Sequence, residues 1–337
     1  MSAFAEGDRA ISAGRRRDAA RAYDDAARST GRPVDRDEAM YRAAMALAAV
    51  GDVPAALERL DWIAAHGDAE MRGDRAAFDA ARLRLANGES ERAIRDIEAL
   101  AIRSPDSGNV RRAIDLALMQ IDHDDPTGDR GLAWIQSIEP RVAGHDLETT
   151  LRWLIARRHE AAGRNEAAER AYVHLLDLPY PHNAHWDDGG LAYARLLRAE
   201  GRYRDALLVI ERVLASREIA ILRPGSDERP HFQDLGLLRA RILRDDLHDN
   251  AAAAEAFHRF YVDFPDSIFR DDSLWSELEI RESLGQRDAA CALAAQLAHE
   301  FECTRYGRRG IERARACGRH ADDPDEARCH PHRHHEP

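Results

Sequence analysis

The chain has 337 residues, 44% of them hydrophobic and 33% charged, with a net charge of −12. That hydrophobic share is enough to bury a core and excludes wholesale disorder, while the acidic balance disfavours a phosphate-neutralising nucleic-acid face. No apolar run approaches the roughly eighteen residues of a membrane span, and all 49 cations are Arg, which removes Schiff-base and P-loop lysine chemistry.

Taken in chain order, one phrase recurs. A Gly is followed five residues on by a small residue, four further by a large apolar one, and three further by another small or apolar one. Gly14, Ala19, Tyr23 and Ala26 open the series; Gly51, Ala56, Leu60 and Ile63 follow, then Gly88, Ala93, Ile97 and Leu100. Residues 107–145 break it: Ala113–Ile121 and Gly131–Ile138 read as helices, but the loop Asp122–Asp129 joins them without the phrase. It resumes with Gly163, Ala168, Tyr172 and Leu175, and again with Gly201, Ala206, Ile210 and Val213. Ala253, Phe257 and Phe260 carry it without the Gly, and Gly285, Ala290, Ala294 and Leu297 close it.

The glycine supplies the left-handed residue that ends a helix without a Cβ clash. Residues five, nine and twelve beyond it share one stripe of the next helix, where the small one permits close approach. A second helix precedes each glycine, as Ala44 and Leu47, Ala156 and His159, and Ala194 and Leu197 indicate. Each unit is therefore a helix, a turn and an antiparallel helix.

These placements resemble the tetratricopeptide repeat (TPR) family, whose unit has about 34 residues; the spacings here are 37, 37 and 38. The resemblance implies an all-α, right-handed superhelical solenoid of about eight helix-turn-helix units over residues 1–320. In that reading 107–145 is a degenerate repeat, 179–188 and 216–232 are loop insertions, and 321–337 is a disordered His-rich tail. It also implies a non-enzymatic scaffold whose first helices line a concave groove for a partner peptide or helix.

Residues one place beyond the first-helix small residue point into that groove in the family. Here they are Arg82, Arg157, Arg195 and Arg241, with Arg198 and Arg244 three residues beyond the last two. Phe78, Trp153, Leu191 and Leu237 stand four residues before them, as an apolar floor. A planar guanidinium grips carboxylates bidentately, so an acidic protein or peptide is the expected partner. The alternative is that these arginines simply lie along exposed helix faces. The family's chaperone-tail clamp needs Lys and Asn where this chain has Asp8, Met45 and Arg residues, so that motif is not expected here.

No nucleophile elbow, Walker loop, dinucleotide motif or paired CxxC is present, and no cofactor or metal is expected. His182, His185, Asp187 and Asp188 have zinc-ligand chemistry, but helix capping by the two Asp residues is the simpler reading. Asp122–Asp129 is too short for a calcium loop. A rival reading makes the chain an architectural subunit that uses its convex face. Helices over 287–301 and 305–317 would place Cys291 opposite Cys317, and Cys303 would meet Cys329 if the tail folds back; four reduced thiols are the alternative. Ala254–Phe264 and Glu300–Gly307 resemble repeats of bacterial envelope proteins, including outer-membrane-assembly and Tol–Pal-associated ones. That favours the cell envelope if a leader was removed, and the cytoplasm otherwise, since residues 1–10 show no leader pattern.

Overall fold

The computed structural model describes residues 3–68, 72–178, 180–217, 231–322 and 329. It divides into two compact units, one of residues 1–178 and 182–184, the other of residues 179–181 and 185–337. The described residues are all-α, with no strand among them.

Unit 1 is five helical hairpins. They are α1 (Ala3–Ser12) with α2 (Arg16–Ser29), α3 (Pro33–Ala48) with α4 (Val53–His66), and α5 (Asp74–Ala86) with α6 (Ser90–Arg103). Then come α7 (Gly108–Asp124) with α8 (Asp129–Ile138), and α9 (Asp146–Ala161) with α10 (Asn165–Leu176). Unit 2 holds α11 (Trp186–Ala199) with α12 (Tyr203–Leu214), α13 (His231–Arg241) with α14 (Asn250–Asp263), α15 (Arg270–Ser283) with α16 (Arg287–Glu300), and a closing helix α17 (Arg305–Ala316). Within each unit, helices pack mainly on their neighbours in sequence, as a stack of hairpins requires.

The turns follow the chemistry of the recurring phrase. Its six glycines have φ between +67° and +83°. After each, the next N–H reaches back five residues to a helix carbonyl, as Asp52 does to Leu47 at 3.0 Å and Arg202 to Leu197 at 2.9 Å. This satisfies carbonyls that the helix end would leave orphaned. The small residues Ala19, Ala56, Ala93, Ala168 and Ala206 are all 0% exposed, and Leu60, Ile97, Tyr172 and Ile210 beside them are at most 1% exposed. Each such large side chain gains about 1.5–3 kcal/mol from burial, and the alanine is what lets the helices come close enough to provide it.

The copy without a glycine solves the turn differently. His248, five residues before Ala253, takes φ +54°, the one positive φ at a non-glycine among the described residues. A π-helical turn, Ile242–Asp246, precedes it, and the N–H of Asp249 reaches back six residues, to the Leu243 carbonyl at 2.8 Å. The extra residue in this turn carries the chain to the same hairpin geometry.

The degenerate segment is a hairpin as well. Gly131, Ile135 and Ile138 form its buried stripe, with Gly131 in the place of the usual alanine. A Cβ on Gly131 would lie 2.7 Å from Asp122 Oδ1 and 2.8 Å from Arg158 Nη1. Those two side chains form a bidentate ion pair, at 2.9 and 2.6 Å, that joins α7 to α9. Asp125 accepts from the Thr127 hydroxyl at 2.7 Å and the Arg130 N–H at 2.9 Å, so it caps α8, and these hydrogen bonds hold its carboxyl below the usual range.

At the C-terminal end, Cys291 is bonded to Cys317 and Cys303 to Cys329, with Cα separations of 5.8 and 5.1 Å. Residues 218–230, most of the 216–232 insertion with its apolar Ile219–Leu222 run, lie outside the described residues, as does nearly all of the His-rich tail.

Candidate binding site

Four of the candidate groove residues lie in unit 1. Arg82, on α5, is exposed and pairs with Asp79 at 3.3 Å. Phe78, one turn earlier, is 5% exposed and belongs to the core, with the Arg112 guanidinium 4.9 Å from its ring centroid. It therefore offers no open floor. Arg157, on α9, pairs with Glu160 and stands 5.5 Å above the half-buried Trp153 ring. The Tyr172 hydroxyl also donates to Glu160, and burial together with that carboxylate pushes the phenol well above its ordinary range. Both unit 1 arginines are thus engaged by acids three residues away.

Unit 2 presents a different arrangement. The first helices α11 and α13 pack side by side, and between them opens a cavity of about 420 Å³ lined by Arg195, Arg198, Arg241, Asp234, Asp246 and Leu238 among others. The α-helical repeat explains the convergence: Arg195 and Arg198 are one turn apart, and Asp234 and Arg241 are two turns apart. Arg198 Nε donates to Asp246 Oδ2 at 2.6 Å. Among the described residues, neither Arg195 nor Arg241 forms an ion pair. Three guanidiniums and two carboxylates line it, and Asp245 stands 4.0 Å from Arg198 and also feels the Arg241 charge.

Arg244 turns away from this cavity. It donates to Asp245 at 2.7 Å and lies 5.3 Å from the Phe257 ring centroid. The Arg244 hydrogen bond, aided by the charges of Arg198 and Arg241, holds the Asp245 carboxyl below its ordinary value. Leu191 and Leu237 are core residues, 2% and 5% exposed. The recurring phrase does not mark Asp234, Leu238 or Asp246. Asp234 does carry a signal, seven residues before Arg241 on the same face, whereas Asp246 arrives only through the π turn.

Of the loop residues with metal-ligand chemistry, His182 is exposed, His185 and Asp187 are buried, and α11 starts without the expected side-chain cap hydrogen bond. Asn183 is 0% exposed and donates to the Leu175 carbonyl at 2.8 Å. His185 Nδ1 lies 3.0 Å from Asp188 Oδ2, at the start of α11. Among the described residues, no group of three or more His, Cys, Asp or Glu side chains is placed to hold a metal ion.

The hairpin stack and its glycine turns settle the architecture. The fold is TPR-like. Among solved structures the chain is similar to a tetratricopeptide repeat protein from Parabacteroides merdae, at 16% identity over 82% of this chain and 97% of that one, with a TM-score of 0.34. It is also similar to the C-terminal part of a TPR repeat-containing protein from Cytophaga hutchinsonii, at 9% identity over 91% and 99% of the two chains and a TM-score of 0.36. Yeast Tom70 matches at 12% identity over 94% and 95%, with a TM-score of 0.27. No family model matches the chain, and no curated protein does.

Proposed function

We infer that the chain is a non-catalytic scaffold that binds a protein or peptide partner, and that unit 2 grips an acidic group of that partner between α11 and α13. The observation that carries this reading is the cavity in which Arg195 and Arg241 stand without an ion pair among the described residues. Arg195 and Arg241 keep guanidinium donors that no ion pair occupies among the described residues, and an incoming carboxylate can take them in bidentate, charge-assisted hydrogen bonds. Arg198, anchored by Asp246, fixes one wall. Arg82 and Arg157 contribute less, because their own acids occupy them.

The test is fluorescence anisotropy with a labelled Asp/Glu-rich peptide and its Asn/Gln counterpart, titrated with the full chain. The acidic peptide is expected to bind, more weakly as salt rises, and the uncharged one not to. Arg195→Glu with Arg241→Glu should weaken binding by a factor of about 100 or more, as expected for losing two charge-assisted contacts. Unchanged affinity in that double variant overturns the reading.

A further inference from the structure

A second arginine-lined cavity in unit 2 shares no lining residue with the first. It has a volume of about 230 Å³ and is lined by Arg217, Arg239, Arg259, Glu211 and Asp263, with two apolar residues of the α12 end. The three arginines come from separate places: Arg217 just beyond α12, Arg239 on α13, and Arg259 on α14.

Its charges do not balance. Arg217 donates to the Asp263 backbone carbonyl and pairs with the Asp263 carboxylate at 3.0 Å, and Arg259 reaches the same carboxylate at 3.4 Å. Arg239 pairs with Glu211 at 3.1 Å. Three guanidiniums therefore share two carboxylates. The Arg239 side chain is only 8% exposed, and its buried Nε–H has no hydrogen-bond acceptor among the described residues. A buried donor left unmet forfeits its hydration with nothing in return, so it marks a place where an acceptor belongs. The chain has 61 acidic residues against 49 basic ones, yet among the described residues none of the surplus acids lines this cavity.

We propose that this cavity is an oxyanion site for phosphate, either the free ion or a phosphate monoester. Donors converge from three directions, which suits a tetrahedral group with three terminal oxygens better than a flat carboxylate with two. The Arg239 Nε–H supplies the buried contact, and Arg217 and Arg259 close over the outer oxygens. Asp263 competes with the anion for both outer arginines, so it limits the affinity. The site is independent of the α11–α13 cavity and of the peptide-binding reading.

Isothermal titration of orthophosphate into the full chain, at constant ionic strength with chloride as the control anion, tests the proposal. Saturable binding of phosphate and not of chloride is expected. Arg259→Gln, at an exposed position, should weaken it at least about tenfold. Asp263→Asn should tighten it by a similar factor, a gain that misfolding does not produce. A phosphoserine peptide that binds, with orthophosphate competing and the plain serine peptide silent, identifies the monoester as occupant; orthophosphate binding alone identifies the free ion. Arg195→Gln with Arg241→Gln should leave phosphate affinity unchanged, and a loss there would move the ion to the other cavity and overturn the assignment. Absence of saturable phosphate binding, or wild-type affinity in both single variants, overturns it as well.

Discussion

At the scale of single residues, backbone conformation and local charge decide most outcomes. His248 holds φ +54° in a turn where the other copies of the phrase use glycine. A side chain there costs on the order of 1 kcal/mol, so His248→Gly should raise the stability read from urea unfolding by about that much, less a small loss from the more flexible unfolded chain. His159 illustrates the charge effect. Burial lowers its pKa, and Arg164 and Arg170 lower it further against a weaker opposing pull from Asp129. Below its ordinary value of about 6.5 the unfolded chain takes up a proton that the folded one resists. The neutral His159 contribution is therefore complete above that pH and is lost as pH falls below it. Urea unfolding of the wild type and His159→Gln across that range should show a shallower acid decline in the variant.

The choice of partner by each arginine is legible at this scale too. Arg82 has Asp79 three residues before it, and Arg157 has Glu160 three residues after it; both pair locally. Arg195 has Leu191, Ala192, Arg198 and Ala199 at the helical neighbour positions, with no acid among them. Helical spacing alone thus separates these occupied arginines from the available Arg195. Asp245 lies four residues beyond Arg241, yet its carboxylate bonds Arg244, a competition that the spacing does not resolve.

At the scale of elements, the hairpins are legible because their signals are local: one glycine and a stripe of three positions within a dozen residues. Two features are legible only in part or not at all. The α7–α8 hairpin is legible as two helices and a degenerate repeat, but its packing is not, because Gly131 replaces the stripe alanine and marks a close contact with Asp122 and Arg158 rather than a turn. The π turn hides because one inserted residue leaves no compositional trace, although it carries Asp246 to the cavity wall. The closing helix α17 depends on similar close contacts. A Cβ on Gly307 would lie 1.7 Å from the Phe301 carbonyl oxygen, and one on Gly310 would lie 2.7 Å from Leu297 Cβ. Gly310→Ala should cost about 1–3 kcal/mol by overpacking the α16–α17 contact, read as a lower thermal midpoint. Gly307→Ala meets backbone and should cost more.

At the scale of the whole molecule, stability in a hairpin stack comes from neighbours, so an end hairpin has support on one side only. In unit 1 the α1–α3 contacts are mostly alanine while α5–α9 share one large core, so amide exchange should be faster in α1 and α2 than in α5–α9, and hydrogen-exchange mass spectrometry checks the order. The C-terminal end carries covalent reinforcement. Reducing the disulfides should cost roughly 2–4 kcal/mol per bridge and bring rapid exchange to α16 and α17, with little change in α1.

The two bridges interleave, since Cys303 lies inside the loop closed by Cys291 and Cys317, and Cys317 lies inside the loop closed by Cys303 and Cys329. Any single backbone cut between Cys291 and Cys329 therefore leaves both fragments tethered. A protease that nicks this arginine-rich stretch once changes the intact mass only by one added water, and the pieces separate on a gel only after a thiol is added.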